Sequence, residues 1–116
     1  MGRRAAALLA VVVGCLALLA GTASADPGVG AQAQNIELYA GPVNMRPGPS
    51  IDSGFSGVIE KGVHWAECQT AGQRIFYLGN ESTVWVWVYN EKFNVWGYVS
   101  TVFVKGPMII PGLRWC

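Results

Sequence analysis

Beyond residue 35 the chain alternates apolar and polar positions in short runs, and this period of two predicts strands rather than helices. Ile36-Glu37-Leu38-Tyr39 alternates and predicts a first strand, closed by the turn signal Gly41-Pro42. In Val43-Asn44-Met45-Arg46-Pro47-Gly48-Pro49-Ser50, Val43 and Met45 point to one face and Asn44 and Arg46 to the other. Pro47 and Pro49 then fix φ and bias Arg46 and Gly48 toward extended backbone, so the strand ends abruptly in a shaped loop. Phe55, Gly57 and Ile59 share one face of the next strand, and Lys61-Gly62 turns the chain. Val63, Trp65 and Glu67 alternate with His64, Ala66 and Cys68 in a third strand. Residues 69–83 are the least regular part, with Ile75-Phe76-Tyr77-Leu78 a short apolar strand inside them. The strongest β signal is Thr83-Val84-Trp85-Val86-Trp87-Val88-Tyr89, all β-branched or aromatic. Residues 90–94 turn, and residues 95–99 return as a partner strand.

The first 25 residues follow a different rule. Arg3 and Arg4 precede an apolar run from Ala5 to Ala20, and Ala23-Ser24-Ala25 is an A-x-A cleavage site. This predicts a secretory signal peptide over residues 1–25, so the protein is expected to be secreted, extracellular or associated with the cell wall, with no membrane contact after cleavage. Val12-Val13-Gly14-Cys15 is the competing signal, a lipidation site at Cys15. Residues 26–35 are small, polar and aperiodic and are expected to form a flexible lead-in. Loss of Arg3 and Arg4 leaves six basic residues against seven acidic ones, a net charge of about −1. A near-neutral chain offers no electrostatic basis for nucleic-acid binding.

Export changes the reading of the cysteines. Cys15 leaves with the signal peptide, and Cys68 and Cys116 remain. An even count in an exported chain points to a disulfide, the alternative being two free thiols. The bridge closes a loop of about 48 residues, worth on the order of 4 kcal/mol in the chain-entropy model. Two thiols and one distant histidine make too few ligands for a metal, so neither metal nor cofactor is expected.

The octet Val43–Ser50 resembles the opening motif of bacterial SH3-like (SH3b) domains, "hydrophobic-N-hydrophobic-R-x-G-P-S". Val58-Ile59-Glu60-Lys61-Gly62 is similar to that family's hairpin turn, and Gly97-Tyr98-Val99-Ser100 to its "G-Y/W-V-S" strand. The middle Cys68-Gln69-Thr70 and the terminal Cys116 resemble a secreted actinobacterial subset. The resemblance spans residues 36–105 and implies an all-β fold, a small SH3-like barrel of about five to seven short, mostly antiparallel strands. It further implies a hairpin across Lys61-Gly62, a 3₁₀ turn from Ser100 to Phe103, and Val104 closing the barrel. Residues 106–116 then form an apolar tail stapled by the disulfide.

Chemistry for catalysis is sparse. His64 is the one histidine and reads as an exposed strand residue, and Glu60 and Glu67 read as a solvated face rather than paired carboxylates. No nucleophile-elbow, zincin or phosphate-loop motif is present, and the expectation is that the protein is not an enzyme. Aromatics dominate instead. With the valines of 84–88 inside, Trp85, Trp87 and Tyr89 form an outward row that Trp96 and Tyr98 can join. Such a row either binds extended peptides or sugar faces, or lies beneath Met108, Ile109, Ile110 and Trp115 of the tail. With the resemblance, Tyr39, Trp85, Trp87 and Tyr98 are the expected ligand-binding residues of a monomeric module for cell-wall peptide or glycan. The second expectation is an inhibitor or competition effector docking on another secreted or envelope protein.

Overall fold

A computed structural model describes residues 31–116; the signal peptide expected over 1–25 and the first half of the lead-in lie outside the described residues. Residues 31–116 are one compact all-β unit. Six strands, β1 (Gln34–Leu38), β2 (Val43–Met45), β3 (Gly57–Ile59), β4 (Gly62–Tyr77), β5 (Asn80–Asn90) and β6 (Val95–Ser100), precede a 3₁₀ turn at Thr101–Phe103. Among the described residues, no helix is long and apolar enough to cross a membrane.

The strands form an antiparallel sheet in the order β1-β4-β5-β6 and a small ribbon of β2 with β3. Arg46 and Tyr98 join the two by exchanging backbone bonds of 2.9 and 2.7 Å. On the other side, Tyr39 N–H donates to Phe103 C=O and Lys105 N–H to Glu37 C=O, so the segment after the 3₁₀ turn returns to β1. These two junctions curl the sheets into a small barrel. Ser100 caps the 3₁₀ turn, its hydroxyl accepting from Val102 N–H. The core is Ile36, Leu38, Val43, Met45, Ile59, Ala66, Val86, Val88, Val99, Val104, Ile110 and Leu113. The inward valines of β5 are therefore real, each burial worth about 1.5–3 kcal/mol relative to exposure.

Four expectations need correction. First, residues 31–35 are not a flexible lead-in: Gln32 N–H donates to Gly112 C=O, Arg114 N–H donates to Gln32 C=O, and β1 begins at Gln34. Their polar composition hides backbone pairing with the tail. Second, the strands flanking Lys61-Gly62 do not pair with one another. β3 pairs with β2 and β4 with β1, so this turn carries the chain between sheets. Third, residues 69–83 are no irregular loop. They build a long hairpin that turns on Leu78 and Gly79, both at positive φ (49° and 82°), as a two-residue hairpin turn requires. A leucine in the first turn position, where Asn or Gly is usual, conceals it. Fourth, His64 is buried: its Nε2–H donates to Glu60 C=O at 2.7 Å and its Nδ1 lies 3.0 Å from Glu91 Oε1.

The Glu91 contact has a pH consequence. Backbone N–H donation holds the Glu91 carboxyl below its ordinary value of 4.5, with burial opposing and the His64 bond adding to the effect. A carboxyl lowered by folding contributes stability above its unfolded value and loses it as pH falls through the folded one. Glu91→Gln is therefore expected to be modestly less stable than the parent at pH 7, with the difference shrinking as pH falls below 4.5 through the lowered value. Urea midpoints measured from pH 7 to 3 check this; parallel curves would remove Glu91 from the acid response.

The tail is built into the barrel. Cys68 and Cys116 are disulfide-bonded, with Cα atoms 5.0 Å apart. Gln69 N–H donates to Arg114 C=O, and Cys116 N–H donates to Gln69 C=O, placing the last residues beside β4 in parallel. The Gln69 side chain, 1% exposed, donates from Nε2 to the carbonyls of Ile110 and Leu113 and accepts from Ile110 N–H. Ile110 and Leu113 complete the core. Glu67 does not pair with Glu60; it meets the Arg114 guanidinium.

Candidate functional site: an aromatic sheet face and a basic pocket

Cross-strand register decides which side chains share the outer face. Trp65, Tyr89 and Trp96 are successive partners across β4, β5 and β6, and Cys68, Trp87 and Tyr98 form the neighbouring row. Cys68 joins this row because a bulge between Ala66 and Cys68 inserts one residue, which moves Cys68 to the outer face and turns Gln69 inward. Simple alternation had grouped Cys68 with the inward His64 and Ala66, and no single sequence signal marks the bulge.

The aromatics of these rows touch. Trp87 and Trp96 are stacked at 6.2 Å between centroids and 13° between planes. Trp87 meets Tyr98 at 4.7 Å and Tyr89 meets Trp96 at 5.1 Å, both tilted. Such pairs add about 0.5–1.5 kcal/mol each beyond area burial, so the face is rigid before any ligand arrives. Tyr89 O–H donates to Asn94 Oδ1, which fixes that ring at the end of β5. Trp96 is 36% exposed and Trp65 43%. Among the described residues, the Trp85 indole N–H has a protein acceptor and those of Trp87 and Trp96 have none. Of the tail residues, Ile110 and Leu113 enter the core, the Met108 sulfur reaches Thr101 Oγ1, Ile109 and Trp115 are exposed, and Cys116 is bonded to Cys68 at the edge of the Trp87 row.

The four residues expected to bind ligand do not form one surface. Trp87 and Tyr98 lie on the platform. Trp85, expected in the outward row, is buried at 2% exposure. It is covered because the loop after β2 folds across it. A Cβ at Gly72 would collide with Pro49 and come within 2.8 Å of Trp85 Cδ1, so only glycine lets the loop seat there. The Trp85 indole N–H donates to Gln73 C=O at 2.9 Å. Tyr39 sits elsewhere again, its hydroxyl donating to Val102 C=O at 2.7 Å and its ring 6.4 Å from Tyr77. Sequence reasoning let Trp96 join the row without counting it among the four ligand-binding residues, and it left out Trp65, which cross-strand register brings beside Tyr89.

Trp85 instead forms a wall of a cavity of about 310 Å³. The turn at residues 40–42, β2, Arg46, Ile51, Ile75, Tyr77, Ser100 and Phe103 supply the rest. Tyr77 and Phe103 meet at 4.8 Å, and Tyr39 backs Tyr77. Among the described residues, no three His, Cys, Asp or Glu side chains gather where they would hold a metal ion. No family model, curated protein or solved structure matches this chain.

Proposed function

We propose that the protein is an exported, non-catalytic binding module of the bacterial SH3-like type that recognises cell-wall peptidoglycan through the aromatic platform. The stacked Trp87–Trp96 pair carries the reading: two rigid, partly exposed indoles whose N–H groups have no acceptor among the described residues, flanked by Tyr89, Tyr98 and Trp65. Flat aromatic faces pack against the apolar faces of sugars and peptide backbones, and the indole N–H satisfies a ligand acceptor at the rim. Further support comes from the order of parts. The octet supplies strand β2 and a closed loop, and a 3₁₀ turn precedes the last barrel contact, as the SH3-like resemblance implies. Binding without catalysis fits the chemistry available. His64 is committed to Glu60 and Glu91, and both mature-chain cysteines are in the disulfide. The disulfide also suits an oxidising compartment, in keeping with secretion.

Sedimentation of the oxidised protein with purified sacculi tests the reading. Trp87→Ala and Trp96→Ala, each folded by circular dichroism, are expected to weaken binding about tenfold or more. Failure of the parent to sediment would overturn wall recognition and direct attention to a secreted or envelope protein as the partner of this face.

A further inference from the structure

We propose that the 310 Å³ cavity beside β2 is a second binding site, which takes the free carboxylate of a short peptide or acylated amino acid with Arg46 as its ion partner. None of the platform aromatics lines it, so the proposal stands independently of the wall-binding reading.

Charge is the first argument. Arg74, Lys105 and Arg114 each face a glutamate, whereas among the described residues Arg46, Lys61 and Lys92 have no carboxylate partner, and of these three Arg46 alone lines the cavity. No acidic residue lines the cavity; its polar side chains are Asn44, Arg46, Ser100 and the Tyr77 phenol. Arg46 lines the cavity, and one of its N–H groups donates to Gly54 C=O at 2.8 Å, which leaves most of its five donors for an anion. The Ser100 hydroxyl accepts from Val102 N–H and keeps its own proton to donate.

Size and wall chemistry narrow the ligand. About 310 Å³ lies at the small end of ligand cavities, which suits one or two residues of peptide. Trp85, Tyr77, Phe103 and Ile75 present apolar surface for a small side chain next to the carboxylate. The site is also preorganised. Gln73 N–H donates to Pro49 C=O, Gln73 Oε1 accepts from Ile51 N–H, and Gln73 C=O holds the Trp85 indole. One residue thus fixes both the loop and the aromatic wall, so little conformational freedom remains to be lost on binding.

The test is titration of the oxidised, ¹⁵N-labelled protein with N-acetyl-alanyl-alanine, with its C-terminal amide, and with acetate. The free acid is expected to shift the Trp85 indole and Arg46 Nε–H resonances saturably. The amide should bind about tenfold more weakly for want of the charge-assisted bond. Acetate should bind more weakly than the dipeptide, because it leaves the apolar wall unfilled. Arg46→Gln should abolish the shifts and Arg46→Lys retain part of them. Equal binding of acid and amide would overturn the proposal, as would shifts confined to the Trp87 and Trp96 indoles or no saturable shift at all. The acid–amide comparison uses the parent protein, so it decides the question even where an Arg46 variant fails to fold.

Discussion

Removing the Cys68–Cys116 bridge, by replacing both cysteines with alanine, is expected to destabilise the domain by about 4 kcal/mol. The bridge spans 48 residues, from the middle of β4 to the last residue of the chain. Without it, the unfolded chain regains the entropy of an open loop of that length, which is the main source of the loss in the chain-entropy model. For a domain of this size the melting temperature should fall by roughly 15–30 °C. That is a large part of the total stability of a small domain, about 5–15 kcal/mol. Urea unfolding of the double variant against the oxidised parent measures it. A loss below about 1 kcal/mol would mean that the tail is held without the covalent bond.

The second large effect is expected at Gln69. Gln69→Leu keeps the approximate volume but removes all three side-chain bonds to the tail. Ile110 N–H and the carbonyls of Ile110 and Leu113 then lose their side-chain partner in a dry environment. Ile110 C=O keeps the Leu113 N–H, so Ile110 N–H and Leu113 C=O are the groups that lose most. Each buried group left unsatisfied costs about 1–3 kcal/mol, and added apolar burial returns part of this, so about 3 kcal/mol is expected. Gln69→Glu should be worse, since a carboxylate cannot donate to the two carbonyls and is itself buried. Hydrogen exchange gives the more specific reading. The amide of Ile110 should lose protection in Gln69→Leu, while those of Val86 and Val88 fall only as far as global stability falls. Because bridge and glutamine secure the same eleven-residue tail, their losses are not expected to add. A double-mutant cycle should show coupling well outside the additivity error of about 0.5 kcal/mol, and strict additivity would show that they act on separate units.

These two residues also mark the line between sequence and tertiary structure. The period-two pattern determined an all-β domain, because burying one face of a strand demands it. It placed β2, the closed loop after it, the inward valines of β5 and the partner strand β6. Cysteine count, with the export expected from residues 1–25, pointed to the Cys68–Cys116 pair that the structure contains. Each of these is local, or follows from counting, and needs no knowledge of what lies opposite.

The bulge after Ala66 could not be read this way. A bulge is one extra residue opposite a partner strand, and a single strand carries no record of its partner. Yet that bulge turns Gln69 inward to hold the tail and sets Cys68 beside Trp87. The same holds for Trp85, which alternation places with Trp87 and the folded loop buries under Pro49 and Gly72. His64 looked solvated because Glu91, its partner, lies 27 residues away at the end of another strand. The sequence by itself determined which residues alternate and therefore which fold class results. Register, bulge and loop closure are contacts between distant segments, and only the tertiary structure decided that the aromatics divide into an outer platform and a pocket wall.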